Sequence, residues 1–184
     1  TVAETQFIRD GCNFERSPMY HILTLTRYLT VCDLLDKSGR EVPDTIRQVT
    51  TAATAFLEFL RPADGRMPLL NDSVYGQALS LEDCLRYADA LGFGDAGEGG
   101  LGERPGEERS PTQTSGYQWL RTEDGDMLFD GGAVGPPHLP GHSHSDTLSV
   151  LLWIGRQPVV TDTGTYGYVS ETDREYARGV RGHN

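Results

Sequence analysis

His142-Ser143-His144-Ser145-Asp146 puts two imidazoles and a carboxylate into one short stretch, while the other three of the chain's five histidines, His21, His138 and His183, are scattered. Imidazole titrates near neutral pH and is the commonest metal-ligating side chain, so such a cluster is a chemical site. If the stretch is extended, alternate residues share a face, and His142, His144 and Asp146 point one way. Asp162, in Pro158-Val-Val-Thr-Asp162-Thr-Gly164, comes back near His144 if the segments flanking Gly155 pair as a hairpin. Two histidines and a carboxylate on neighbouring strands make a three-ligand zinc set. The competing reading is that these imidazoles hydrogen-bond backbone within a glycine-rich loop.

The elements that position this stretch can be read in order. Ser17 is an N-cap followed by Pro18 at the first helical position, and Ile22, Leu23, Leu25, Leu29, Cys32 and Leu35 recur at helical spacing until Lys37-Ser38-Gly39. A second helix opens near Pro43-Asp44 and ends at Arg61-Pro62, which makes a helical hairpin. Asn71-Asp72-Ser73 continues a turn-rich loop, and Ser80 with Glu82 and Asp83 caps a shorter helix. Gly92 to Thr114 has the Gly, Glu, Asp and Pro content of a solvated linker. Beyond it the period becomes extended: Tyr117–Arg121 and Met127–Phe129 form a hairpin, a strand runs from Thr147 to Ile154, and Pro158 to Thr161 is its partner. Helices first and strands later indicate segregated helical and sheet domains.

A net charge of -11 and the absence of a Lys/Arg cluster argue against nucleic acid as a partner, and no apolar run is long enough for a membrane span. An acidic sugar remains compatible with a locally basic site. Cys12, Cys32 and Cys84 are odd in number and lack CxxC spacing, which suggests neither a disulfide framework nor a zinc-thiolate site, and Cys32 and Cys84 fall on apolar helix faces as core residues. Thr1 at the start, and His183-Asn184 at the end without a terminating pattern, lead to the expectation of a piece of a longer protein.

HxHxD also occurs in the metallo-β-lactamase fold, but there a further histidine follows, whereas Thr147 stands here, and the long apolar strand comes after the motif. The pattern resembles the heparinase II/III-like polysaccharide lyases. His142-Ser-His144-Ser-Asp146, Asp162-Thr-Gly164-Thr-Tyr166 and Arg174-Glu-Tyr176-Ala-Arg178 running to Arg181-Gly-His183-Asn184 are similar to the start of that family's β-sandwich domain. Asp10-Gly11, Glu15-Arg-Ser-Pro18 and Tyr20-His21 resemble the signature on a late helical hairpin of its α/α toroid. The resemblance implies an α+β multidomain chain: the C-terminal helices of an (α/α) toroid over residues 1–92, a linker over 93–114, and the start of an antiparallel β-sandwich over 115–184.

It also implies an activity, cleavage of a glycosidic bond next to a uronic acid by β-elimination, on alginate or a glycosaminoglycan-type polysaccharide or oligosaccharide. In such a reaction the carboxylate is neutralised, a base takes the C5 proton and an acid protonates the departing O4. Tyr20 matches the family's catalytic tyrosine. His142 matches the histidine at the catalytic centre, with the active site in the cleft between the domains, Tyr20 on one wall and His142 on the other. His144, Asp162 and His183 match the ligands of a structural metal, usually zinc. Glu15, Arg178, Arg181 and Tyr166 are candidate substrate-binding residues, with Tyr168 and Tyr176 as further sugar platforms or a second catalytic hydroxyl. Asp146 is assigned to orienting a loop or a histidine, Asn13 to a loop, His21 to structure and Trp119 and Trp153 to the sandwich core. The family's carboxylate-neutralising Asn or His lies upstream of the tyrosine motif, so the chain alone is expected to show little activity. The acidic composition favours alginate or a lightly sulfated glycan, and the resemblance favours a periplasmic or secreted location, with a cytoplasmic one left open. The alternative is a metal-stabilised carbohydrate-binding or scaffold module without chemistry.

Overall fold

The computed structural model describes residues 5–94, 114–136 and 140–183. Among these, three helices come first: α1 (Pro18–Lys37), α2 (Asp44–Phe59) and α3 (Leu81–Ala90). They are followed by strands β1 (Tyr117–Arg121), β2 (Gly125–Asp130), β3 (Val150–Ile154) and β4 (Gln157–Val160), and by a short helix α4 (Glu171–Arg178). The strands form one antiparallel meander in the order β1-β2-β3-β4. No described helix is long and apolar enough to cross a membrane.

Helix α1 starts where the sequence predicts, because Ser17 Oγ accepts from the Tyr20 N–H and Pro18 takes the first turn, where its missing N–H costs nothing. Met19, Ile22, Leu25, Leu29 and Cys32 line its buried face and pack with Val49, Ala53 and Leu57 of α2 and Leu81, Cys84 and Ala88 of α3. All three cysteines are buried free thiols, as the sequence context predicts for Cys32 and Cys84. Asp10-Gly11 acts at the seam with the sheet. Asp10 Oδ2 accepts from the Ser115 N–H (2.6 Å) and hydroxyl (2.7 Å), which ties the N-terminal loop to the approach of β1. Gly11 has φ +84°, and a Cβ there would lie 2.2 Å from the Ala52 carbonyl oxygen, so only glycine lets this loop reach α2.

A second core joins Cys12, Phe56, Leu60 and Leu70 to Tyr117, Leu128, Leu151 and Trp153. Trp119 and Trp153, with ring centroids 5.6 Å apart, therefore pack toward the helices and not inside a closed sandwich, and Trp119 Nε1 donates to the Phe59 carbonyl at 2.7 Å. The opposite sheet face leaves Leu120, Ile154 and Val159 exposed.

His21 has the structural role its position suggests. It is fully buried; its Nδ1 accepts from the Asn13 N–H (3.1 Å), so Nε2 carries the proton and donates to the Ala53 carbonyl (2.9 Å). Burial lowers its pKa from 6.5 to about 4, with the Ala53 contact acting weakly the other way. The unfolded chain thus binds a proton between pH 6.5 and about 4 that the folded chain refuses, so stability is lost as pH falls through that window. The full contribution is about 3 kcal/mol. The unfolding midpoint of the full-length protein should fall more steeply with acidification than that of a His21→Gln variant, and parallel slopes would contradict this assignment.

Two sequence expectations are corrected here. The strand expected from Thr147 begins only at Val150, and His142 to Asp146 is not extended: Pro140–His142 is a 3-10 turn followed by a loop. Leu148 at φ +74° and the Asp146 side chain, which accepts from the Asn71 N–H at 2.7 Å, shape this loop, which rejoins the sheet where the Leu148 N–H donates to the Asp130 carbonyl. Helix α4 is an element that sequence reading did not anticipate, capped by Ser170 Oγ on the Asp173 N–H. Residues 95–113, most of the expected linker, and His138 lie outside the described residues.

Candidate functional site

Three segments far apart in sequence meet at one place: the start of α1 with the loop before it, the Asn71-Asp72-Ser73 turn, and the histidine loop. The turn holds them together. Ser73 Oγ accepts from the Met19 N–H and meets Ser17 Oγ, and Ser17 Oγ contacts the Asp72 carbonyl. Asn71 at φ +53° receives the His144 N–H on its Oδ1 and gives its own N–H to Asp146, while the Ser73 carbonyl receives the Thr165 N–H. Asp146, fully enclosed, thereby orients the loop as the sequence reading assigned, and burial raises its pKa. Helix α4 clamps the same loop from outside: Arg174 Nη2 donates to the Gly141 carbonyl and Arg178 Nε to the Ser143 carbonyl, each at 3.1 Å.

At the centre lies Asp72, whose side chain has no exposed surface. It receives His142 Nδ1 on Oδ2 (2.7 Å), His144 Nε2 on Oδ1 (2.8 Å), and both Arg174 Nη atoms (3.2 and 3.1 Å). Burial alone would raise its pKa, but the hydrogen bonds from His144, Arg174 and His142 outweigh that and hold the carboxyl well below the usual carboxylate range. The His142 ring then lies 4.7 Å from the Tyr20 ring, centroid to centroid, with its Nε2 3.6 Å from Glu15 Oε2. Burial, partly offset by His142, raises the Glu15 pKa. Tyr20 Oη meets Tyr168 Oη at 2.9 Å, and Arg174 stacks over the Tyr168 ring at 4.4 Å. Tyr168 is shifted upward, first by burial and then by Tyr20 and Asp72, so its hydroxyl keeps its proton.

Tyr20 and His142 are thus in ring contact on one wall, a correction to the expectation of opposing walls. Glu15 joins them. Arg178 faces the loop backbone, Arg181 is exposed, and Tyr166 is 79% exposed; neither Arg181 nor Tyr166 hydrogen-bonds Glu15, Tyr20 or His142. Asp72 and Arg174 are members of the group that sequence reading missed. A polar triplet directly after apolar Met67-Pro-Leu-Leu70, and two arginines one helical turn apart, were the available signals.

Behind the loop, His144, Asp162 and His183 are neighbours. The His144 and His183 rings lie 5.3 Å apart, and His183 Nδ1 bonds Asp162 Oδ2 at 2.7 Å. Asp162 Oδ1 accepts from the Gly164 N–H at 2.8 Å. His144 Nδ1 and His183 Nε2 are buried without a hydrogen-bond partner of good geometry. Among the described residues no three His, Cys, Asp or Glu side chains are already arranged as a metal site. Two orphaned imidazole nitrogens beside a carboxylate are nonetheless the donor types that a zinc ion takes.

Comparison with known proteins identifies the family and the fold. Residues 1–92 match the family model described as heparinase II/III N-terminus, and residues 104–184 match heparinase II/III-like, C-terminal. No curated protein matches. Among solved structures, a heparinase III (the BT4657 gene product) superposes with a TM-score of 0.77 at 20% identity, covering 100% of this chain and 31% of that one. Heparan sulfate lyase HepC from Pedobacter heparinus gives 0.71 at 18% identity, covering 96% of this chain and 30% of its own. Another heparinase III gives 0.72 at 19%, with 99% and 32% covered. The chain thus spans about a third of the length of these structures, and its helices and sheet correspond to parts of their toroid and sandwich.

Proposed function

The chain belongs to the heparinase II/III-like family, and from that premise we propose that the full-length protein is a polysaccharide lyase that cleaves uronic-acid-containing chains by β-elimination, with Tyr20 and His142 as its acid-base pair. The observation that carries the reading is the contact between Tyr20, on the first turn of α1, and His142, on the loop before β3, with their rings 4.7 Å apart. A phenol and an imidazole side by side can take a proton from C5 and return one to O4 without water entering the products. Glu15 and the Tyr20–Tyr168 hydroxyl pair supply further hydrogen-bonding groups at the same wall. Asp72 spends the charge of Arg174 internally, so the group that neutralises the substrate carboxylate is expected upstream in the full-length protein.

The substrate reading favours alginate or a lightly sulfated glycan, on the strength of the net charge of -11, and the family favours a periplasmic or secreted location over a cytoplasmic one. Incubating the full-length protein with alginate, heparan sulfate and hyaluronan should raise the ultraviolet absorbance of an unsaturated uronate on at least one of them. No rise on any uronate polymer or oligomer would leave the non-catalytic carbohydrate-binding module as the better account.

A structural zinc belongs to the same reading. His144 and His183, with Asp162, would hold it, and it would pin the histidine loop to the strand hairpin and not take part in proton transfer. Elemental analysis should find one zinc per full-length chain, and chelation should lower Tm by about 5 °C or more. Full zinc content in a His144→Ala variant would contradict the assignment of that ligand.

A further inference from the structure

The carboxylate of Asp72 has no hydrogen-bonding capacity left over. Oδ1 takes His144 Nε2 and Arg174 Nη1, and Oδ2 takes His142 Nδ1 and Arg174 Nη2. That fills the roughly four lone-pair sites a carboxylate offers. An ionised carboxylate only accepts, so each ring nitrogen facing it must carry a proton. We propose that Asp72 is a positioning residue that sets the tautomers of two imidazoles at once: protonated on Nδ1 at His142 and on Nε2 at His144.

A neutral imidazole has one donor and one acceptor nitrogen, so a proton given to Asp72 fixes the lone pair on the other side of the ring. For His142 that is Nε2, which lies 3.6 Å from Glu15 Oε2 on the wall with Tyr20. For His144 it is Nδ1, the buried nitrogen without a partner, on the side of His183. One carboxylate thus leaves a bare nitrogen on the front of the loop and another on its back, from histidines only two residues apart. Asp72 is poorly able to turn away. Its carbonyl accepts from Ser17 Oγ at 3.2 Å, and the neighbouring Asn71 is tied to Asp146, His144 and Arg16. The chemical use of the bare His142 nitrogen rests on the lyase reading, whereas the tautomers stand on these contacts alone.

Nitrogen-15 NMR of the full-length protein labelled at histidine, with His142→Gln and His144→Gln to assign the rings, reads the tautomers directly. The expected wild-type result is a pyrrole-type Nδ1 with a pyridine-type Nε2 at His142, and a pyrrole-type Nε2 with an unprotonated Nδ1 at His144. Asp72→Asn has one acceptor oxygen and one donor NH2, so the ring facing the NH2 must present a lone pair and reverse. That variant should lose roughly 10- to 100-fold in activity, in kcat more than in KM. A wild-type His142 protonated on Nε2 in its neutral form, or an Asp72→Asn variant with both tautomers unchanged, would overturn the proposal. The wild-type spectrum decides even if the variant does not fold. The expected tautomers in a protein without elimination activity would support the role of Asp72 while refuting the lyase reading.

Discussion

A Tyr20→Phe variant of the full-length protein is expected to lose about 10³-fold in elimination rate, within the range typical of a positioned acid or base. The substitution removes one oxygen and keeps the ring, so the aromatic contact with His142 at 4.7 Å and the first turn of α1 survive. The Ser17 cap is unaffected, because it binds the backbone N–H of Tyr20 and not its hydroxyl. What disappears is the hydroxyl and its 2.9 Å partnership with Tyr168. Tyr168 is half exposed and water can replace that partner, so the stability cost is at most about 1 kcal/mol. Circular dichroism and Tm should match wild type while the rate collapses; a rate within threefold or so of wild type would remove Tyr20 from the chemistry.

His142→Gln should be comparably severe, about 10² to 10⁴ in kcat/KM. A glutamine amide can still donate toward Asp72 and preserve the packing of the loop, but it cannot exchange a proton with the substrate. Because Tyr20 and His142 act on one substrate in one step, the double variant should be little worse than either single one, since residues acting as a unit are non-additive. Additive losses would mean that the two act separately. If His142→Gln instead lowered zinc content or unfolded the loop while the remaining folded enzyme kept its rate, His142 would belong with the structural group.

Why some of this was legible in the sequence and some was not follows from how local each signal is. Helix α1 announced itself through Ser17-Pro18 and a helical apolar period, because caps and amphipathic faces are written in neighbouring residues. The β1–β2 hairpin was legible for the same reason. Helix α4 was missed since Ala177 is its only buried residue, which leaves no apolar period, and only the Ser170 cap and the charged residues at its two ends mark it locally. Asp72 read as part of a solvated turn, and nothing local contradicts that. Its burial is created by His142, His144 and Arg174, 70, 72 and 102 residues away. The alternation of His142, His144 and Asp146 suggested a common strand face, but polar residues that bond Asp72 and Asn71 determine a loop more strongly than their spacing determines a strand. The resemblance correctly gave the family, while the carboxylate shared by His142 and His144 emerged only from three-dimensional contacts.

The central claim is that bond cleavage proceeds by elimination on a uronate, with no water consumed. Mass spectrometry of the products formed by the full-length protein in oxygen-18 water tests it most directly. The account predicts oligosaccharides with an unsaturated non-reducing end, lighter by one water than hydrolysis products, with no heavy oxygen incorporated in the cleavage step. Saturated products carrying one heavy oxygen per cleaved bond, or intact polymer after prolonged incubation with every uronate chain tried, would contradict it.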